Sequence, residues 1–169
     1  MLIRNATIND LEEIAAVEAE CFPEAEAAKK EDFANRLKFY GNHFWLLFDE
    51  NRLIAFVDGL VTDEPDLTDV MYEKAEMHNE AGKWQMIFGV NTIPSYRKRG
   101  CAEDLIQAAI ADAKKQGRSG LVLTCKDHLV HYYEKFGFRN EGKSQKSEHG
   151  GVTWNQMRLT FDAGERATG

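Results

Sequence analysis

Cysteine, positive charge and long apolar runs are scarce in this sequence, and each shortage excludes a class of protein. The three cysteines, Cys21, Cys101 and Cys125, are widely spaced and form no C-x-x-C pair. Neither a disulfide framework nor a metal site is therefore predicted, and we expect reduced thiols in a cytoplasmic protein. No apolar stretch approaches the ~20 residues of a membrane-spanning helix, and the first residues do not resemble a signal peptide. We expect no membrane partner.

Lys and Arg number 21 against 28 Asp and Glu, which gives a formal net charge of −7. Nucleic-acid binding requires a basic face, so nucleic acid is not expected as the main partner. An acidic surface favours a cationic substrate such as an amine. The length of 169 residues fits one compact domain, which we place at residues 1–161, with 162–169 as a loose tail. The sequence leaves a homodimer open.

Apolar residues recur with helical spacing in some segments and with strand spacing in others, which favours an α/β layer architecture. The acidic segment 63–82 is interpreted as an insertion or a lid, with a helix through Met71, Ala75 and His78. We predict helices over residues 7–21, 33–40, 100–116 and 129–136. We predict strands over residues 2–5, 44–48, 53–61, 84–90 and 121–124, and a final hairpin from 138 to 161 around a polar loop at 144–151.

The segment from Arg97 to Ala102 lies between a predicted strand and a strongly amphipathic helix. A helix start offers unpaired backbone N–H groups and the positive end of the helix dipole, which suit a pyrophosphate. Gly100 and Ala102 let a phosphate approach the backbone. The segment is neither a P-loop nor the three-glycine dinucleotide fingerprint. It therefore predicts a phosphate-bearing cofactor without naming one, and a solvated basic turn is the alternative.

Two motifs resemble the GCN5-related N-acetyltransferase (GNAT) superfamily. Arg97-x-x-Gly100-x-Ala102 resembles its Arg/Gln-x-x-Gly-x-Gly/Ala signature, and the segment from His131 to Phe138 resembles its Phe-Tyr-x-Lys-x-Gly-Phe motif. The resemblance covers most of the chain. It implies a mixed α/β fold with a mostly antiparallel central sheet flanked by helices, of the acyl-CoA N-acyltransferase type. It also implies transfer of an acetyl group from acetyl-coenzyme A to a primary amine.

The same resemblance assigns roles to individual residues. The loop from Arg97 to Ala102 is expected to bind the pyrophosphate, and a strand that splays from its neighbour is expected to meet the pantetheine arm and the oxyanion. Tyr133 is expected to protonate the departing thiolate, with core packing as the alternative. The residues assigned to the cofactor are Val90, Asn91, Thr92, Arg97, Lys98, Arg99, Gly100, Cys101, Ala102 and Tyr133.

Shorter stretches resemble the serotonin (arylalkylamine) N-acetyltransferase branch: Ala19 to Pro23, Leu123 to Cys125, and Leu129 to Tyr133. That branch carries two histidines, thought to help deprotonate the amine, where this sequence has Met86 and Phe88. We therefore expect a water-mediated route for the amine proton.

Other residue types that could carry chemistry have simpler interpretations. Cys125 ends an apolar strand without a paired base, so packing is favoured over a covalent acyl-enzyme. Asp66 and Asp69 could attract an ammonium group. His128 and His131 could relay protons, whereas His78 and His149 lie in polar loops. Each of the four is expected to be solvated or structural.

The leading hypothesis is acetylation of a small-molecule amine by direct attack in a ternary complex. A peptide or protein amino group is the second hypothesis, and it would require an open groove. A coenzyme A-binding regulatory module without catalysis is the third. The missing histidine pair motivates that third hypothesis, whereas Tyr133 opposes it.

Overall fold

The computed structural model describes residues 1–144 and 154–162. Within these residues the chain forms two compact units. One consists of Met1–Gly59 and Gly89–Ala109, and the other of Leu60–Phe88 and the described residues after Ala109. A single domain over residues 1–161 stays a prediction. No helix among the described residues is both long enough and apolar enough to span a membrane.

Regular elements alternate along the described chain. The helices are α1 Leu11–Cys21, α2 Lys30–Tyr40, α3 Val70–Glu73, α4 Cys101–Lys115 and α5 Val130–Glu134. The strands are β1 Leu2–Arg4, β2 Phe44–Asp49, β3 Arg52–Asp58, β4 Val61–Thr62, β5 Trp84–Ile87, β6 Gly89–Thr92, β7 Gly120–Cys125, β8 Arg139–Lys143 and β9 Asn155–Thr160.

The first unit contains a four-stranded antiparallel sheet in the order β1-β2-β3-β6. Helix α1 follows a capping box in which the Thr7 side chain and the Asp10 carboxylate satisfy each other's backbone N–H groups. Helices α1 and α2 bury an apolar stripe that includes Ile14 and Phe33, both fully buried. Burial of each such side chain contributes about 1.5–3 kcal/mol.

The described strands of the second unit form a five-stranded sheet in the order β4-β5-β7-β9-β8, and among them only the β5–β7 pair is parallel. Gly120 opens β7 where the strands approach closely, since an added Cβ would lie 1.9 Å from the Leu159 carbonyl oxygen. The predicted hairpin near the end of the chain is confirmed by the pairing of β8 with β9. The predicted loop at 144–151 lies outside the described residues except for Ser144.

Two strands that we predicted as continuous are each divided in the structure, so those predictions were wrong. The predicted strand 53–61 is β3 and β4, and the predicted strand 84–90 is β5 and β6. Strands β3 and β6 pair in the first sheet, whereas β4 and β5 pair in the second. The breaks fall at Gly59 and next to Gly89. Glycine inside an apolar run weakens a strand and often marks an irregularity.

The remaining predicted elements differ mainly in their ends. The helix predicted over 7–21 starts as a 3-10 turn at Ile8–Asp10, and the helix predicted over 129–136 is the short α5 after a 3-10 turn at Asp127–Leu129. The predicted helix within 63–82 is α3 followed by a 3-10 turn at Ala75–Met77. Of the predicted tail 162–169, only Asp162 is described.

An ion pair is buried between α2 and β3. Arg36 Nη1 lies 3.2 Å from Asp58 Oδ2, and the two side chains are 6% and 1% exposed. Burial raises the pKa of the Asp58 carboxyl to about 6, although the Arg36 charge acts to lower it. The pair therefore carries a desolvation penalty, which the attraction between the two charges offsets in part.

We predict that Asp58→Asn destabilises the protein by about 3–5 kcal/mol at neutral pH, because the buried guanidinium loses this counter-charge. Urea unfolding of the wild type and the variant measures the change. The double replacement Arg36→Met with Asp58→Leu is the matched control and should recover most of the loss, since it removes both charges. A single variant as stable as the wild type would contradict the prediction.

Candidate functional site

The loop between β6 and α4 has the backbone geometry of an open helix start. Gly100 has a φ of +80° and Lys98 a φ of +64°, so two residues of this short loop occupy the left-handed region. The Gly100 carbonyl accepts the Asp104 N–H at 3.1 Å. An added Cβ on Gly100 would meet no protein atom within 4 Å. Glycine is therefore required there by the backbone conformation, and the space beside it is open.

The first turn of α4 offers backbone donors. Within the described part of the chain, no acceptor is found for the N–H groups of Cys101, Ala102 and Glu103. The side chains of Arg97, Lys98 and Arg99 are exposed directly before this turn. Unpaired N–H groups, the helix dipole and adjacent cations together form an arrangement that suits a phosphate group. The site residues predicted in this loop are thus brought together, and the chemistry of the donors fits a pyrophosphate.

The loop is tied to the end of β6. Arg97 Nε donates to the Thr92 carbonyl at 3.1 Å, and Cys21 Sγ contacts the same oxygen at 3.3 Å. The hydroxyl of Tyr96 donates to the Asp49 carboxylate at 2.5 Å. Arg97 therefore fixes the loop as well as adding charge. Exposed charge alone, as a solvated basic turn would have, does not account for these contacts.

The Cys101 side chain takes no part in this arrangement as a nucleophile. It is 4% exposed, and burial raises the pKa of its thiol. A neutral thiol is a poor nucleophile, so Cys101 contributes to the loop through its backbone N–H.

Strand β6, which contains Val90, Asn91 and Thr92, lies at the edge of its sheet. Among the described strands it pairs only with β3, from Ala55 opposite Thr92 to Asp58 opposite Gly89. An edge strand carries backbone groups that face away from its neighbour, and an extended ligand can bind to them as a further strand would. The Asn91 side chain is buried instead, so Asn91 can meet a ligand there only through its backbone.

Tyr133 lies on α5 with its ring packed at right angles to those of Tyr132 and Phe138, at centroid distances of 5.1 and 6.1 Å. The residue is 6% exposed, and burial raises the pKa of its phenol above the ordinary value of 10. In the described part of the chain its hydroxyl has no hydrogen-bond partner. Packing and proton donation are therefore compatible, because the ring packs while the hydroxyl stays protonated and uncommitted.

Cys125 is also unsuited to covalent chemistry. Its side chain is 2% exposed, and burial raises the pKa of the thiol to about 11. The thiol therefore stays protonated at neutral pH, which agrees with the packing interpretation.

None of the described histidines considered as proton relays has the setting of a buried, available base. His128 is exposed, and His131 is exposed with its Nδ1 2.9 Å from Glu134. His78 Nδ1 accepts the Val61 N–H at 3.0 Å, and its Nε2 lies 2.9 Å from Glu80. Both ring nitrogens of His78 are thus engaged, and His149 lies outside the described residues.

The segment 63–82, interpreted as a lid, is fastened at both ends. Leu67 N–H donates to Gln156 Oε1 at 3.1 Å, and the Asp66 carboxylate pairs with Arg158 at 3.3 Å. At the other end Arg118 donates to the carbonyl oxygens of Glu80 and Gly82, at 2.9 and 2.7 Å. Asp66 is therefore already neutralised and is poorly suited to attract an ammonium group.

The two positions that correspond to the histidine pair of the arylalkylamine branch carry apolar side chains, Met86 and Phe88. Met86 on β5 is fully buried. The Phe88 ring packs on Tyr72 with centroids 4.5 Å apart. Neither position can hold a proton.

Residues 9–138 match the Acetyltransferase (GNAT) family. The chain belongs to this family. Over 96 residues it is 31% identical to serotonin N-acetyltransferase of Mesocricetus auratus, a match that covers 56% of this chain and 45% of that protein. The match thus spans less than half the length of that curated relative. The resemblance inferred from the sequence motifs is confirmed.

Solved structures agree with the GNAT assignment at the level of the fold. The loading GNATL domain of CurA from Lyngbya majuscula has a TM-score of 0.80 at 15% identity, covering 94% of this chain and 96% of that one. PaiA N-acetyltransferase from Thermoplasma acidophilum in complex with coenzyme A has a TM-score of 0.70 at 18% identity, covering 95% and 98%. The predicted mixed, mostly antiparallel α/β fold of the acyl-CoA N-acyltransferase type is confirmed. GNAT membership supports an acyl-CoA N-acyltransferase.

Sequence reasoning missed a group of buried charges in this GNAT protein. Glu18, Arg36 and Asp58 are all nearly inaccessible to solvent. Glu18 follows Ile14 by four residues and so falls within the apolar stripe of α1, and Asp58 interrupts an apolar strand. A charged residue inside an apolar pattern is the signal that could have revealed them.

We predict that Gly100→Ala weakens coenzyme A binding about 10-fold or more while the protein stays folded. The added methyl strains the left-handed backbone by about 1–2 kcal/mol and occupies the open space at the helix start. Calorimetric titration with coenzyme A measures the affinity. Gly117→Ala is the matched control, since Gly117 has a φ of +75° and also has no atom within 4 Å of an added Cβ. Equal affinities in the two variants would refute a phosphate site at Gly100.

Proposed function

We propose that the protein transfers an acetyl group from acetyl-coenzyme A to the primary amine of a small molecule by direct attack in a ternary complex. The observation that carries this proposal is the open helix start at Gly100, with three backbone donors and three cations, in a chain of the GNAT family. The negative net charge favours a cationic acceptor. Reduced thiols in an acidic chain agree with a cytoplasmic reaction.

The site residues divide into three roles in this proposal. The N–H groups and basic side chains from Arg97 to Ala102 bind the pyrophosphate. The free edge of β6, from Val90 to Thr92, holds the pantetheine arm and donates to the oxyanion as the amine nitrogen bonds to the thioester carbon. Tyr133 donates a hydrogen bond to the sulfur as the carbon–sulfur bond breaks. The amine loses one proton and the thiolate gains one, so the products are an amide and a free thiol.

The raised pKa of Tyr133 refines its role. A thiol has an ordinary pKa of ~8.5 and a phenol one of ~10, so full transfer from phenol to thiolate is uphill by at least about 2 kcal/mol. Burial increases this difference, since it raises the pKa of Tyr133 further. Tyr133 is therefore best suited to stabilise the developing thiolate by a hydrogen bond, with the thiol proton supplied in the end by solvent.

One experiment identifies both the class of acceptor and the acyl group that is transferred. Thiol release is followed with acetyl-coenzyme A and with longer acyl-coenzyme A thioesters, against small amines and against peptides with free amino groups. Turnover of acetyl-coenzyme A with small amines supports the proposal. Turnover with peptides alone would assign a protein or peptide acetyltransferase, and binding without any turnover would assign a non-catalytic coenzyme A-binding module.

We predict that Tyr133→Phe lowers kcat about 10²–10³-fold with coenzyme A affinity nearly unchanged, because the hydrogen bond to the developing thiolate is lost. The variant keeps the packed ring and deletes only the hydroxyl. Steady-state kinetics and calorimetry measure the two quantities, and Tyr132→Phe is the control on the neighbouring ring. Unchanged turnover in Tyr133→Phe would show that Tyr133 only packs.

We predict that kcat/KM for an alkylamine rises with pH well past neutrality. An alkylamine resembles lysine, with a pKa of ~10.4, so its reactive neutral fraction grows about tenfold per pH unit. Because His128 and His131 are both exposed and lack the setting of a buried base, His128→Ala and His131→Ala should each change the rate less than about threefold. A profile that levels off near pH 7 and is abolished by one replacement would identify a protein base and contradict the water-mediated route.

A further inference from the structure

We propose that Glu18 is a positioning residue for acetyl transfer, because its buried carboxylate ties the segment 22–29 to strand β6. Its positioning role rests on the function proposed above, whereas the tie itself rests on contacts within the first unit. Glu18 does not belong to the loop that binds phosphate or to the residues assigned to the reacting atoms. It acts through the two segments that it joins.

The carboxylate of Glu18 uses one oxygen for each segment. Its Oε1 accepts the Asn91 side-chain N–H at 2.8 Å, and its Oε2 accepts the Ala28 backbone N–H at 2.8 Å. Asn91 lies in β6, and Ala28 lies in the connection between α1 and α2. Charge-assisted hydrogen bonds of this kind are stronger than neutral ones. A single side chain thus holds both segments at fixed distances.

The protonation state of Glu18 allows both bonds at neutral pH. Burial raises the pKa of its carboxyl to about 6 and the Asp58 charge adds to this, while the Ala28 N–H, the Arg36 charge and the Asn91 amide act to lower it. The carboxylate is therefore mainly ionised at pH 7 and above, where both oxygens accept.

The Asn91 side chain is held in place by its hydrogen bond to Glu18. The residue is 2% exposed, and its Oδ1 is buried without a hydrogen-bond partner in the described part of the chain. A Cβ added at Gly89 would lie 3.3 Å from the Asn91 amide nitrogen and 3.2 Å from Asp58 Oδ1. The amide thus packs directly over the backbone of β6. Because Asn91 itself lies in β6, a displacement of its side chain should also displace the backbone of this strand, which forms the proposed pantetheine edge.

A second contact joins the same helix to the same strand. Cys21, one turn after Glu18, contacts the Thr92 carbonyl at 3.3 Å. Helix α1 therefore touches β6 at two points, and the segment 22–29 begins immediately after the second. Removing the Glu18 carboxylate should loosen β6 and this segment together.

The test compares two replacements of Glu18. Glu18→Met keeps the volume and loses both acceptors, so kcat/KM should fall about 10-fold or more. Glu18→Gln keeps an acceptor for the Ala28 N–H, and its amide can donate to Asn91 Oδ1 once the Asn91 amide turns over, so its loss should stay below about threefold. Glu20→Met, at an exposed position of the same helix, is the matched control. An equal loss of kcat/KM in the Met and Gln variants would assign Glu18 as a base or a required charge and would overturn a positioning role. No loss in either variant would also overturn it.

Hydrogen exchange tests the coupling without reference to activity. Glu18→Met should raise amide exchange in peptides covering both 22–29 and 89–92, whereas Glu20→Met should raise neither. Faster exchange in only one segment, or in none, overturns the coupling. If Glu18→Met does not fold, the variant Asn91→Leu is used in its place. This variant leaves the bond from the Ala28 N–H to Glu18 intact, so faster amide exchange in 22–29 would show that the two segments are coupled. A wild type that lacks transferase activity would refute the proposed function, while the exchange result still decides the coupling.

Discussion

The antiparallel ladder between β3 and β6 fixes the candidate site, since Asp58 lies opposite Gly89 and Ala55 opposite Thr92. It sets the direction in which the chain leaves β6, and therefore where the turn at Pro94 and the start of α4 at Cys101 follow. No other described strand pairs with β6, so this strand forms one edge of its sheet. The pairing of Asp58 with Gly89 also places the buried Asp58 carboxylate next to β6, the strand proposed to bind the cofactor.

Burying Glu18, Arg36 and Asp58 under two helices opposes folding, because each charge loses its hydration. The raised pKa values of the two carboxyl groups reflect that penalty. Apolar residues of similar volume would often be at least as stable, so such a group is weak evidence for stability. Its effect is to restrict geometry. A packed apolar core tolerates small shifts, whereas the hydrogen bonds of Glu18 are lost when either Ala28 or Asn91 moves.

The sequence predicted the features that depend on local chemistry and missed those that depend on the choice of strand partner. The amphipathic helix after Gly100 depends on local spacing, and it is found where it was predicted. The division of the strands at Gly59 and Gly89 is not local, because a run of apolar residues has the same appearance whether it pairs with one sheet or with two. The contacts of Glu18 and Asp58 were missed for the same reason, since their partners are distant in sequence.

The lack of a histidine pair is less of an obstacle to amine acetylation than it first suggests. Removing a proton from an alkylamine at pH 7 takes about 4.6 kcal/mol, and a turnover of ~10 s⁻¹ corresponds to a barrier of about 16 kcal/mol. This leaves about 11 kcal/mol of that barrier for the attack itself, which a preorganised oxyanion site can make accessible. Apolar surroundings also act in a favourable direction, because desolvation disfavours an ammonium ion and lowers its pKa. Each unit of lowering raises the neutral fraction of the amine tenfold, so an apolar lining can replace part of what a base would supply.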